Sequence, residues 1–346
     1  MQATKKRYQV KIYWFDWSYK MTINPSVVMN NISFSSQINW WQWQLDLQLS
    51  LPISNEDFDK SDFVQVTMFD EWSYSSGFLI YTWILTRIKR SISNKGEFIS
   101  LNCLWLFAFM NRLFFNQSWY NFTKNKTPDW IIKDVIDYFN TQYTAPRLSY
   151  WSNIDPYWSN IQIKFDYKKC NEAIVDIQKA TSDRYFYIDE TGDVTYKEKT
   201  ASTTTHKLKI WNEIDELIAD EEVESVVNKV FVEYSTAIGW PYSDASSQTE
   251  YWLIEDKVSW TNIDSVWSAN EYWANYIEEN KSEKKQIRLT VNSKYDIESI
   301  KPWHRIKILN TEYTQDALQV QKISYKYDWL VVDLDRYETL SETFLS

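Results

Sequence analysis

Asn39-Trp40-Trp41-Gln42-Trp43 runs directly into Gln44-Leu45-Asp46-Leu47-Gln48-Leu49, and the two halves of this stretch ask for different things. The second half alternates apolar and polar residues with period two, the pattern of a strand with one face on a core. The first half is polar, yet it carries three indoles where a link between strands needs small, permissive residues. The same placement recurs in Asp16-Trp17-Ser18, Glu71-Trp72-Ser73, Tyr150-Trp151-Ser152, Tyr157-Trp158-Ser159, Pro302-Trp303-His304 and Asp328-Trp329-Leu330. The chain has 20 tryptophans and 4 glycines in 346 residues. Average usage would give about 24 glycines.

A β-rich chain makes its turns with Asp-Gly, Asn-Gly and Pro-Gly, because only glycine takes positive φ without steric cost. Most of these tryptophans are therefore expected to stand where the natural protein has glycine. Some bacterial lineages read the UGA codon as glycine, and a translation that reads it as tryptophan gives this pattern. Gly77, Gly96, Gly192 and Gly239 are then glycines written with ordinary codons. Scattered indoles in turns would otherwise expose large apolar surface. If the tryptophans are genuine, the sequence reads instead as a Trp-rich sugar-binding module with aromatic platforms.

Outward from this stretch, the first hundred residues read as β. Tyr8-Val10-Ile12 and Val64-Val66-Met68 alternate, residues 78–88 form a long apolar strand or strand pair, and Phe98-Ile99-Leu101 adds another. From Cys103 the period changes. Residues 104–115 can be helical. Thr127-Pro128-Asp129 is a helix start opening 131–139, and 171–181 places Ala173, Ile174, Ile177 and Ala180 on one face. Residues 185–187 and 194–196 flank a turn and form a hairpin. After a polar connector at 199–205, strands return at 207–210, 226–234, 287–291, 306–309, 318–327 and 330–334, with a helix expected at 265–279. The expected fold class is mainly β with an α+β insertion. The divisions are a β-barrel domain at 1–102 completed by strands after 199, an inserted α+β domain at 103–198, and a second barrel-like domain at 199–346.

The length allows two or three domains with cores of their own. A net charge of -10 argues against simple electrostatic attraction to nucleic acid or an anionic membrane. It suits an ordinary solvated surface, and also a conduit through which a polyanion slides without sticking. Cys103 and Cys170 lie far apart in sequence and read as free core thiols. Residues 1–13 are basic but lack the apolar core of a signal peptide. The most apolar run, 104–110, is far shorter than the ~20 residues of a membrane span.

Chemistry is sparse. His206 and His304 are the only histidines, without metal-ligand spacing or a nucleophile elbow nearby, and both read as solvated surface residues. Asp189, Glu190 and Asp193 crowd one turn; the spacing is not an EF-hand loop, and aspartates that cap a turn explain it. The acidic stretch 213–224 reads as a solvated loop or edge. The carboxylates nominate no glycosidase pair. No catalytic, cofactor-binding or metal residue is expected, and no cofactor.

Several segments, read with glycine at these tryptophans, resemble one family. Tyr81-Thr82-Trp83-Ile84-Leu85 resembles a Y-x-G-x-I strand, with Leu85 replacing the usual Ile. Asn102-Cys103-Leu104-Trp105-Leu106 is similar to a strand-to-helix passage into a second domain. Residues 185–194 resemble a recurrent hairpin, and Val226-Val227-Asn228-Lys229-Val230-Phe231-Val232 a V-x-N-x-V-x-V strand. Pro302-Trp303-His304-Arg305-Ile306 resembles a P-G-D-x-I turn, with His304 where an acid is usual. The family is that of the baseplate hub proteins of tailed phages: the trimeric hub of contractile tails and the N-terminal part of siphophage tail-associated lysins. The order of these short motifs along most of the chain carries the likeness.

The resemblance implies tail-tube-like β-barrel domains with smaller α+β domains, and a mechanical role rather than a chemical one. Three copies would make a ring that docks on the tail tube or a distal tail protein, carries the spike or fibre, and lets DNA pass without holding it. It implies a virion protein of the tail tip, assembled in the host cytoplasm, without a membrane span and without enzyme activity. The family's lysins append a hydrolase, whereas here residue 346 comes soon after the last expected strand. Two other classes remain open at this point: a carbohydrate-binding fibre or adhesin module with real tryptophan platforms, and a cell-wall hydrolase.

Overall fold

The computed structural model describes residues 6–335, except 24–32, 38–43, 51–57, 71–76, 95, 118–123, 144–146, 151–152, 166, 182, 200–203, 223–224, 235–236, 239–240, 261–269, 271–272, 275, 279, 283, 310–316 and 327–328. The link 39–43, Trp72, Trp151, Asp328 and most of the connector at 199–205 therefore lie outside the described residues.

The first part of the chain is built of β1 (Lys6–Tyr13), β2 (Tyr19–Ile23), β3 (Ser33–Gln37), β4 (Gln44–Leu49), β5 (Phe63–Asp70), β6 (Phe78–Ser93) and β7 (Gly96–Leu104). The alternation read from sequence is the alternation of burial. Tyr8, Val10 and Ile12 of β1 and Leu45, Leu47 and Leu49 of β4 are all buried while their neighbours are not. Each such side chain contributes roughly 1.5–3 kcal/mol by leaving water.

The middle part contains α1 (Leu106–Met110), β8 (Lys124–Lys126), α2 (Pro128–Gln142), β9 (Ile161–Ile163), α3 (Cys170–Ala180), β10 (Arg184–Ile188) and β11 (Val194–Glu198). Pro128 opens α2 in its first turn, where its missing N–H costs nothing. Thr127 occupies the N-cap position, but its hydroxyl makes no capping bond. Ile131, Ile132, Val135, Ile136 and Phe139 bury one face of α2. The expected helix over 104–115 is cut to the five residues of α1. Leu104 still pairs in β7, and beyond Met110 the backbone is taken elsewhere: Phe115 N–H donates to the Lys168 carbonyl (2.7 Å) and Cys170 N–H to the Leu113 carbonyl (2.9 Å).

The last part holds β12 (Thr205–Lys209), β13 (Ile214–Glu222), β14 (Lys229–Tyr234), β15 (Ala237–Ile238), β16 (Tyr242–Ser243), α4 (Ala245–Tyr251), β17 (Glu255–Trp260), β18 (Lys284–Asn292), β19 (Arg305–Leu309), β20 (Leu318–Lys326) and β21 (Trp329–Asp335). Of the helix expected at 265–279, residues 265–269 lie outside the described residues, while 270, 273–274 and 276–278 are helical. Of the acidic stretch, Ile214–Glu222 is β13, at the edge of a sheet, which is the second of the two readings of the sequence.

The sheets carry the architecture. Thirteen strands join in one sheet in the order β13-β18-β21-β20-β3-β4-β7-β6-β5-β1-β2, with β19 on β20 and β12 parallel to β19. The seam between early and late strands is β3 against β20, in register from Ser33–Lys326 to Gln37–Lys322. A four-stranded sheet, with β14 between β15, β16 and the parallel β17, has its own cluster of Val230, Val232, Trp273 and Ile277. The sheets are curled, one of them into a half-barrel, and the fold is mainly β with a few helices.

Candidate functional site

The backbone singles out a set of turns. Six non-glycine residues have positive φ among the described residues: Trp17 (65°), Ser61 (86°), Tyr167 (50°), Trp211 (69°), Trp252 (63°) and Trp303 (72°). Four of the six are tryptophans. Among L-residues this region favours Asn, Asp and His, and bulky side chains there are outliers. Trp252, at the end of α4, combines φ 63° with ψ −175°, a region essentially reserved to glycine. Its backbone is firmly held: Asn228 donates from its side-chain amide to the Trp252 carbonyl (2.5 Å) and accepts from Ile254 N–H (2.8 Å). The indole itself is 83% exposed.

Trp211 forms the turn between β12 and β13, donates its N–H to the Ile214 carbonyl (3.0 Å) and leaves its ring 88% exposed. Trp17 turns β1 into β2 and stacks on Phe63 at 4.2 Å between centroids. Trp303 donates its N–H to the Val320 carbonyl (2.9 Å) and lies against Tyr185 and Tyr187. Trp83 is buried with its ring 3.5 Å from that of Tyr81, closer than the 4.5–7 Å at which aromatic pairs settle.

The two histidines meet, and His206 is buried and His304 half-buried, contrary to the sequence expectation of two solvated surface residues. Parallel pairing of β12 with β19 brings His206 to His304, which immediately precedes β19. His206 Nε2 lies 2.9 Å from His304 Nδ1, His206 Nδ1 lies 2.8 Å from the Tyr295 hydroxyl, and Lys301 N–H donates to His304 Nδ1 (3.3 Å). Two neutral rings satisfy this chain: Tyr295 O–H donates to His206 Nδ1, and His206 Nε2–H donates to His304. Burial lowers the pKa of His206, with Asp296 opposing. Burial first, then His206 and Lys301, take His304 down to about 4. The rings bond each other and a tyrosine, and so tie β12 to the turn that precedes β19.

The remaining sequence candidates also resolve. Asp189 Oδ1 accepts from Thr191 N–H (2.8 Å), the Thr191 hydroxyl (2.6 Å) and Asp193 N–H (2.9 Å), so the aspartate folds its own turn. Glu190 pairs with Lys301 across the fold. Cys103 and Cys170 are buried and unbridged; burial raises both thiols, Cys170 to about 12. Among the described residues no cluster of three or more His, Cys, Asp or Glu could hold a metal ion, and no helix is long and apolar enough to cross a membrane.

Several strand edges stay open among the described residues, two of them strongly charged. Past Ile214, which bridges Ile210, β13 pairs only with β18, and β6 beyond Leu85 pairs only with β7. The sequence reads the first as loop or edge and carries no mark of the second as an edge.

No protein-family model matches the sequence, and no curated protein matches it. Solved structures do match in fold, end to end. A tail protein from Neisseria meningitidis MC58 aligns with TM-score 0.66 at 11% identity, over 95% of this chain and 97% of that one. The prophage MuSo2 43 kDa tail protein from Shewanella oneidensis aligns with TM-score 0.69 at 11% identity, over 96% and 98%. Prophage tail protein gp18 from Listeria monocytogenes EGD-e aligns with TM-score 0.58 at 7% identity, over 96% of each chain. The chain has the fold of phage tail proteins.

Proposed function

We propose that this chain is a structural baseplate hub of a phage tail. Three copies form a ring that joins the tail tube to the distal spike or fibres and lets DNA pass. The observation that carries this reading is the end-to-end match with tail proteins, which leaves almost none of either chain uncovered. The domain divisions at 1–102, 103–198 and 199–346 go with it, as do a virion location, assembly in the host cytoplasm and the absence of enzyme activity. Sedimentation of the full chain, alone and mixed with tail-tube protein, tests it: a trimer is expected, and a monomer in both conditions would overturn it.

The same reading takes the tryptophans of the turns for glycines. What supports it is that four of six strained backbone positions are tryptophan, one of them in a region only glycine occupies. It also disfavours the sugar-platform alternative, because Trp211 and Trp252, two of the most exposed indoles, are among the four. The intact mass of the natively produced protein decides it, with peptide mapping of the Trp211 and Trp252 turns. Glycine in those peptides is expected, and tryptophan there would end the idea.

A further inference from the structure

Resting on the hub reading, one pair of surfaces specifies how copies meet. The chain carries ten more acidic than basic residues, yet the free half of β6 reads Arg87-Ile88-Lys89-Arg90-Ser91-Ile92-Ser93. Arg87, Lys89 and Arg90 are exposed, and none of them makes an ion pair among the described residues. Ile92 is 73% exposed. Over this half the backbone of β6 bonds β7 on one side and no described strand on the other.

One end of the same sheet carries the other sign. β13 reads Ile214-Asp215-Glu216-Leu217-Ile218-Ala219-Asp220-Glu221-Glu222 and is the last strand of the thirteen. Asp215, Glu216 and Asp220 are exposed, Ile218 is 44% exposed, and past Ile214 the strand bonds only β18. Open edges are templates for further pairing, and isolated proteins blunt them with charge. Charge of one sign on both edges would do that. Opposite charges on the end strand β13 and on the part of β6 that runs past β5, each beside an exposed isoleucine, instead make the two edges complementary.

We propose that the β6 edge at residues 87–93 of one copy docks on the β13 edge at residues 215–220 of the next, adding strand to strand. Such a contact uses different surfaces on the two partners, so it runs head to tail and closes into a ring when the rotation allows. Backbone bonds along the new strand pair supply adhesion, while the Arg/Lys and Asp/Glu sets fix register and reject the like-with-like pairing of two β6 or two β13 edges.

The test is native mass spectrometry and sedimentation on three full-chain variants, with circular dichroism melting to establish that each is folded. R87E/K89E/R90E and D215K/E216K/D220K, each alone, are expected to weaken self-association by roughly 100-fold or more at low salt. All six changes in one chain restore complementarity and are expected to bring the ring back. A wild-type trimer that survives both single-edge variants, or folded six-fold variants that stay apart, would overturn the docking while leaving the hub reading intact. A wild type that is monomeric both alone and with tail-tube protein would overturn the hub reading itself.

Discussion

Two hairpins in this molecule make similar turns with different residues. Between β10 and β11, Asp189 accepts from the backbone two residues on, and Gly192 takes φ 89°. Between β1 and β2, Asp16 Oδ1 accepts from Ser18 N–H (2.8 Å) and the Ser18 hydroxyl (2.5 Å), and Trp17 takes φ 65°. In both, a carboxylate bonded two residues on folds the chain back, and one residue supplies left-handed backbone. Where that residue is glycine the conformation is cheap. Where it is tryptophan, its Cβ crowds a carbonyl at a cost of roughly 1–2 kcal/mol. The flanking residues thus specify a glycine turn at both places, whatever side chain is written there.

Four substitutions break or sharpen this comparison. The largest effect is expected from Gly192→Val, since a Cβ there would sit 3.1 Å from the Arg147 carbonyl at a φ that side chains avoid. A loss of roughly 2–4 kcal/mol is expected in urea denaturation; an unchanged midpoint would mean that left-handed backbone costs nothing in this fold. In the opposite direction, Trp252→Gly removes an exposed ring from a glycine-only conformation and is expected to stabilise by roughly 1–3 kcal/mol. A lower melting temperature would count against the turn argument at its strongest position. Trp211→Gly, equally exposed but at an ordinary left-handed φ, is expected to gain about 1 kcal/mol in the same assay. Trp17→Gly should change least, because the relief of its backbone is offset by a lost stack on Phe63 worth roughly 0.5–1.5 kcal/mol. A loss well beyond that would make Trp17 a genuine part of the core.

The legible part of this fold is the part with contrast between faces. Leu45-Leu47-Leu49 and Tyr8-Val10-Ile12 announce strands because one side meets the core, and the stripes of α2 and α3 announce helices for the same reason. β13 has no such contrast: from Asp215 to Asp220 nearly every side chain is solvated, so its sequence reads equally as loop or edge. The helix α4 escapes a reading of periodicity because Ala245–Tyr251 buries only Ser247. Its one available signal is Asp244, whose carboxylate accepts from Ser247 N–H (2.8 Å) as an N-cap. The His206–His304 contact cannot be read at all. It depends on a parallel pairing of β12 with β19, and strand pairing across that separation leaves no mark in either segment. The glycine deficit is visible from composition, but only backbone angles identify which tryptophans occupy glycine conformations.

The seam between β3 and β20 has a consequence for how the protein is made. Gln37 waits for Lys322, about 285 residues later in the chain, which at ~5–20 residues per second is roughly 15–60 s of synthesis. Throughout that interval the early strands have an unfinished border, while α2, α3 and the β10–β11 hairpin can form from neighbours already made. The large sheet is therefore joined only once β20 has been made, and a copy truncated before β20 lacks the strand that joins its two parts.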